Sequence, residues 1–264
     1  MKALLIGGGV MGEALLAAAL RRQIFAREDV TVCDVLEHRR NQLRSEYGVN
    51  TAAEAEPLMP SADVVILAVK PQDIASVRGR LREGALLVSI AAGVSIRRLA
   101  THFEHRRIVR VMPNTPAAAG VGMSVWTATE DVTPEQRQLV ANLLGALGRE
   151  LFVPDERKVD MATAVSGSGP AYVYLFAEAL IEGAVAIGIP RRDAEELVLQ
   201  TILGAARYAQ ESGKSPAELR AMVTSPRGTT AAALLAMERG AIRAAIIDGV
   251  RAAYQRALEL GEEA

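Results

Sequence analysis

The sequence predicts an α/β domain built on a doubly wound parallel sheet, residues 1–155, followed by an all-α domain, residues 156–264. Three observations predict it. Short apolar runs alternate with amphipathic stretches in the N-terminal part, the pattern of β-α-β units. Runs such as "DVVILAV" (63–69) are continuously apolar, as suits a strand covered on both faces. After Pro154 the texture turns helical, and Pro170, Pro190, Pro216 and Pro226 stand near helix starts, where proline is tolerated.

Taken in order, "KALLIG" (2–7) reads as a buried strand and Met11 to Arg22 as the helix after it. "VTVCD" (30–34) is the second strand, followed by a charged helix containing Glu37 to Tyr47. "DVVILAV", "ALLVSIAAG" (85–93) and "RIVRVMPN" (107–114) are the third, fourth and fifth strands. "GMSVWTA" and "ELFVP" add late strands around a helix at 134–148. Helices then follow at 156–165, 170–188, 191–211, 216–222, 229–238 and 240–260.

Composition narrows the function. A net charge of −1 argues against a nucleic-acid surface, which carries a basic excess. The single cysteine, Cys33, excludes an internal disulfide and suits a reducing compartment. The apolar N-terminus is too short for a secretory core and is broken by Gly7, Gly8, Gly9 and Gly12. With no run of 18 uncharged apolar residues, no membrane span is expected, and the expectation is a soluble cytoplasmic protein.

Gly7-x-Gly9-x-x-Gly12 follows the first strand and opens the first helix, the context in which this spacing binds a dinucleotide. Gly7 permits the tight turn, Gly9 lets the pyrophosphate approach the backbone, and Gly12 lets helix and strand pack closely. Free amides at the positive end of the helix face the phosphates. The first domain is thereby predicted to be a Rossmann domain. Asp34 ends the second strand, where a carboxylate takes the adenosine ribose hydroxyls and disfavours a 2′-phosphate. Arg39 and Arg40 follow it, either as ligands for such a phosphate or as a solvated helix face. "AVKPQ" (68–72) and "IAAG" (90–93) close the third and fourth strands at the ends where open sheets bind ligands. Lys70 either contacts the cofactor or caps an edge. "MPNTP" (112–116) is a stiff loop that places Asn114 beside the nicotinamide.

The second domain offers two candidate substrate surfaces. "SGSGPAYVY" (166–174) opens a long apolar helix, with Ser166 or Ser168 as its N-cap or with the small residues serving a close helix contact. In "VTSPRGTT" (223–230), Gly228, Thr229 and Thr230 begin a helix, either as a mere linker and cap or, as the clustering favours, with their amides converging as a carboxylate site and the Thr230 hydroxyl as a further partner. His38, His102 and His105 all fall in charged, solvent-facing segments, leaving no base of the kind an alcohol dehydrogenase needs and no metal-ligand cluster. An imine protonated on nitrogen is already electrophilic, so orientation and hydrogen bonding suffice.

In order along the chain, "IGGGVMGEAL", "DVVILAVKPQ", "VSIAAGVSI", "VMPNTP", "VSGSGPAY", "GIPR" and "VTSPRGTTAAAL" resemble the pyrroline-5-carboxylate reductase family over nearly the whole length. The resemblance implies reduction of Δ1-pyrroline-5-carboxylate to L-proline with NADPH or NADH, inclining to NADPH. It implies that the "SPRGTT" loop, Thr229 included, holds the substrate carboxylate and that Thr230 bonds the ring nitrogen. Glu156 and Val223 match substrate-lining positions. Gly9, Val10, Met11, Gly12, Ala68, Val69, Lys70, Pro71, Ile90, Ala91 and Ala92 match cofactor contacts. It also implies a homodimer intertwined through the helical domain and dimers that often assemble into decamers; the charge balance and the short apolar runs add the expectation of no nucleic-acid and no membrane partner. The chain departs from many members at Arg227, where they have a second glycine, near Ala55, where an asparagine commonly touches the cofactor ribose, and at Asp34, where a small or phosphate-friendly residue is common.

Overall fold

A computed structural model describes residues 1–263. The chain packs as two compact units, Met1–Ser168 together with the segment from Ala252 onward, and Gly169–Arg251.

The first unit is built on eight strands: β1 (Ala3–Ile6), β2 (Val30–Cys33), β3 (Asn50–Ala52), β4 (Val64–Leu67), β5 (Leu86–Ser89), β6 (Ile108–Met112), β7 (Gly122–Ala128) and β8 (Gly148–Phe152). They lie in the order β3-β2-β1-β4-β5-β6-β7-β8. Every pairing is parallel except β6 with β7. Successive strand residues point to opposite faces, so each buried strand feeds two cores. Leu5, Val32, Ile66, Val88 and Val109 pack on one side with α1 (Val10–Arg21) and α4 (Pro134–Gly145). Leu4, Ile6, Val65, Leu67, Leu87 and Ile108 pack on the other with α3 (Ile96–Phe103). A fully buried leucine contributes roughly 1.5–3 kcal/mol, so Leu4 and Leu15 on opposite faces anchor β1 and α1 firmly.

Three local features differ from the expectations. β3 was not foreseen: its sequence, Asn-Thr-Ala, is polar and three residues long, as befits an edge strand. His105 is buried, not solvent-facing, with its Nε2 at 2.8 Å from the Ala85 carbonyl; His102 likewise meets the Val77 carbonyl at 2.9 Å. Neither serine of the 166–168 turn caps a helix. After α5 (Arg157–Ala162) the chain runs through a π turn, Thr163–Gly167, into α6 (Gly169–Ala186). Ser166 Oγ donates back to the Ala162 carbonyl, and Ser168 keeps helical angles (φ −82°, ψ −20°) that an N-cap lacks. Gly167 lies where a Cβ would come within 2.7 Å of Met112 Cε, the close contact given as the alternative reading.

Packing assigns α5 to the sheet-bearing unit, beyond the change of texture at 155. Val159 joins Val125 and Val153 in a small core, and Asp160 pairs with Arg110 of β6. The end of α10 (Ile242–Glu263) lies in the same unit, where a Cβ on Gly93 would meet the Leu260 main chain at 3.2 Å.

In the second unit, α7 (Arg191–Ser212), α8 (Pro216–Met222) and α9 (Thr229–Arg239) follow α6. Within residues 169–251 the buried side chains are Ala177, Ala194 and Val198 alone. Tyr174, Leu175, Phe176, Leu199 and Leu203 are exposed. Among the described residues, no helix is long and apolar enough to cross a membrane.

Candidate active site

The glycine loop is shaped by its neighbours. Gly7, at φ +100°, donates its amide to the Cys33 carbonyl at 2.8 Å, and a Cβ there would lie 2.6 Å from the Ala68 carbonyl oxygen. A Cβ on Gly12 would run into the Gly7 carbonyl. Gly9 differs, since no atom lies within 4 Å of the place its Cβ would take. It is the N-cap of α1 and has no side-chain cap bond, so the amides opening the helix at Val10, Met11 and Gly12 are left for a ligand. An open backbone at Gly9 between two tightly packed glycines fits a dinucleotide pyrophosphate.

The neighbouring strand ends converge on this loop because the sheet is parallel. The Ala68 amide donates to the Ile6 carbonyl at 2.8 Å, and the Ile90 amide to the Leu67 carbonyl at 3.0 Å. Pro71 then starts a 3₁₀ turn, Pro71–Ser76, with Lys70 exposed at its cap. Ala91 is buried and donates to Ser89 Oγ at 3.3 Å, so Ile90, Ala91 and Ala92 leave β5 on a fixed path. Asn114 is a clamp: its Nδ2 donates to the Ser166 carbonyl at 3.0 Å, and its Oδ1 accepts from the Met123 amide at 2.8 Å.

Asp34 sits just past β2, with one carboxylate oxygen on the glycine loop and the other on its own turn. Oδ2 accepts from the Gly8 amide at 2.8 Å and Oδ1 from the Leu36 amide at 2.9 Å. Arg39 turns inward, with Nε on the Gly8 carbonyl, Nη2 on Glu13 and Nη1 on Gln42 Oε1 at 2.8 Å. Arg40 Nη1 donates to the carbonyls of Asp34 (2.8 Å) and Val35 (3.0 Å). Tyr47 completes the cluster, donating to Glu13 Oε1 at 2.9 Å. Burial pushes the Glu13 carboxyl up, but the bonds from Arg39 and Tyr47 outweigh it and hold the group below its ordinary range. Burial and the Glu13 contact push the Tyr47 phenol the other way, well above its ordinary value.

Glu156 is held differently from the sequence expectation of a substrate-lining side chain alone. Its Oε1 accepts from the Ile96 amide at 2.8 Å and from Arg110 Nη1 at 2.8 Å. Arg110 also forks onto Asp160. This trio escaped the sequence reading, although a charge inside a central apolar strand and two carboxylates one helical turn apart were its visible signal.

In the second unit, Thr224 Oγ1 donates to the Arg220 carbonyl, and the Gly228 amide donates to Ser225 O at 3.0 Å. This closes a tight turn in which Arg227 takes φ +63°, a left-handed value that glycine adopts freely. That angle accounts for the glycine that the resemblance leads one to expect at 227. Gly228 is the N-cap of α9 and supplies no side-chain bond, so the amides of Thr229, Thr230 and Ala231 open the helix unsatisfied. Val223 is exposed at the end of α8. The substrate candidates Val223, Gly228, Thr229 and Thr230 thus share one loop, whereas Glu156 belongs to the first unit.

Residues 156–260 match the family model for pyrroline-5-carboxylate reductase dimerisation, and residues 2–93 match NADP oxidoreductase, coenzyme F420-dependent. The chain is 42% identical over 262 residues to a pyrroline-5-carboxylate reductase of Synechocystis sp., covering 98% of each. It is 38% identical to one from Arabidopsis thaliana, covering 97% of this chain and 94% of the plant protein. Among solved structures, the Coxiella burnetii pyrroline-5-carboxylate reductase superposes with a TM-score of 0.89 at 34% identity, covering 98% of each chain. The Plasmodium falciparum pyrroline carboxylate reductase with NADP bound gives 0.88 at 30% identity, covering 99% of this chain and 98% of that one.

Proposed function

The chain belongs to the pyrroline-5-carboxylate reductase family, and from that premise we infer that it reduces 1-pyrroline-5-carboxylate to L-proline by hydride transfer from NADPH or NADH, the final step of proline biosynthesis. When bound, the reduced nicotinamide supplies the hydride for the imine carbon, and a proton on the ring nitrogen completes the secondary amine.

The protein's part is binding and orientation. Gly7, Gly9, Val10, Met11 and Gly12 hold the pyrophosphate, Asp34 the adenosine ribose, and Ala68, Val69, Lys70, Pro71, Ile90, Ala91, Ala92 and Asn114 border the crevice. The amides beginning α9, framed by Gly228 and Thr229, take the substrate carboxylate. The Thr230 hydroxyl bonds the ring nitrogen, fixing the C=N bond for attack. Val223 lines the substrate, and Glu156 contributes through the segment it ties down at Ile96. The observation that carries this reading is the start of α9: a helix opening with no side-chain cap bond and with a hydroxyl at its second residue. His102 and His105, the bases an alcohol dehydrogenase would recruit, are instead seated on main-chain carbonyls.

The matched dimerisation region makes the chain a homo-oligomer. Its basic form is a dimer through the helical unit, with decamers as the higher assembly, in the cytoplasm. The test is direct: add 1-pyrroline-5-carboxylate to enzyme with NADH or NADPH and follow nicotinamide absorbance, alongside the six-membered homologue piperideine-2-carboxylate. Oxidation with the five-membered ring preferred supports the reading. No oxidation with either cofactor, or preference for the larger ring, removes it.

A further inference from the structure

We propose that Asp34 makes this chain's cofactor crevice selective for NADH over NADPH, because its carboxylate occupies the adenosine-ribose position while Arg39 is fully engaged by the loop and by Glu13. The proposal rests on the reading that the glycine loop binds a nicotinamide dinucleotide.

Asp34 is fixed from two sides, by the Gly8 amide at 2.8 Å and the Leu36 amide at 2.9 Å. Each carboxylate oxygen has two acceptor sites, so each keeps one for an incoming donor. A ribose with free 2′ and 3′ hydroxyls supplies two donors. A 2′-phosphate supplies acceptor oxygens only, with about −1.5 to −2 charge, and meets the carboxylate as a like charge.

A cation could reverse this, and the sequence provides two candidates. Arg39 has all three nitrogens engaged, by Gly8 O, Gln42 and Glu13, and its side chain is only 16% exposed. Its charge is balanced by Glu13, itself held by Tyr47. Freeing Arg39 for a phosphate would strand Glu13 in a partly buried site. Arg40 is tied to the main chain it follows by Nη1 alone, on the carbonyls of Asp34 and Val35, and it sits behind the Asp34 carboxylate without an acidic partner among the described residues. The lock is mutual: Gly8 is bonded through its amide to Asp34 and through its carbonyl to Arg39, so neither side chain moves without the loop.

Isothermal titration of the intact protein with NADH and NADPH tests this without turnover. The expected result is tighter NADH binding by at least about tenfold, the ratio set by exchanging hydrogen bonds to a charged group for a repulsion. Asp34→Asn keeps an acceptor for one amide and removes the charge, and should shift the ratio toward NADPH by a similar factor. Arg39→Ala should weaken NADPH no more than NADH. Wild-type binding of NADPH as tight as NADH overturns the proposal, as does an Asp34→Asn ratio that does not move or an Arg39→Ala loss confined to NADPH. Binding of neither nucleotide overturns the cofactor reading itself, and this proposal with it.

Discussion

The guanidinium of Arg110, 3% exposed in β6, donates to Glu156 Oε1 at 2.8 Å, the same oxygen that receives the Ile96 amide at 2.8 Å. One carboxylate thus joins a central strand to the first residue of α3, and Asp160 takes the other arm of the fork. Arg110→Met would leave two carboxylates without their cation, and breaking a buried pair destabilises by about 3–5 kcal/mol. With Glu156 at 32% side-chain exposure, the lower end applies, about 3 kcal/mol. Urea unfolding at neutral pH checks it, and an unchanged midpoint would count against the network. Arg110→Lys should recover only part of the loss, since an ammonium cannot fork.

Two glycines of the same loop should respond oppositely to alanine. At Gly12 the added Cβ meets the Gly7 carbonyl, main chain that cannot swing aside, so Gly12→Ala should destabilise the fold by about 1–3 kcal/mol. At Gly9 the methyl enters open space, so Gly9→Ala should keep the wild-type melting temperature and lose cofactor affinity by about tenfold or more. Paired thermal melts and titrations separate them; equal melting losses would show the loop is not organised this way.

Thr230→Ala should lower kcat about 10- to 100-fold, the worth of one hydrogen bond to a charged or developing charge, with cofactor KM nearly unchanged. Thr230→Ser, which keeps the hydroxyl, should recover most of it. A fully active alanine variant would remove Thr230 from the chemistry.

Burial pushes the Cys33 thiol up to about 11 from an ordinary value of 9.0. A raised folded value means the contribution is complete below the unfolded pKa and is lost as pH rises through the folded one. Stability should therefore fall between pH 9 and 11, by about 2–3 kcal/mol from this group. Cys33→Ala should flatten that limb relative to wild type, whatever the tyrosines and lysines add to both. Parallel slopes would exclude the thiol as its source.

Arg227 holds φ +63°, which costs a non-glycine residue about 1 kcal/mol or more. Arg227→Gly relieves it but loosens the unfolded chain by a comparable amount. The variant should unfold within about 1 kcal/mol of wild type, whereas Arg227→Val, β-branched at the same angle, should fall further. Denaturant midpoints for the three proteins decide it.

Much of this was readable in the residues. The glycine spacing, the uninterrupted apolar runs and the proline-marked helix starts placed the sheet, the loop and α9 because each depends on local pattern. What escaped depends on partners distant in sequence. Thr31 pairs with Asn50 only because β3 is carried there by α2 (Glu37–Tyr47), and no propensity marks Asn-Thr-Ala as a strand. His105 reads as surface among charges, yet tertiary packing encloses it against Ala85. The turn at 163–168 mimics a helix start in sequence, but back-bonding by Thr163 and Ser166 carries the helix through as a wider turn. Asp34 was legible as the carboxylate that follows β2, whereas the inward turn of Arg39 required Glu13 and Tyr47 to be in place.

With Ala177, Ala194 and Val198 as its whole interior, the helical unit has too little enclosed hydrocarbon to offset the entropy of ordering its backbone. The dimerisation region matched at 156–260 spans this unit, so its apolar faces find that cover on other copies of the chain, and this half folds as part of the homo-oligomer. Dilution should then act as a denaturant: lowering protein concentration ought to lower the melting temperature and release helix signal, in the manner of an obligate assembly whose stability follows mass action.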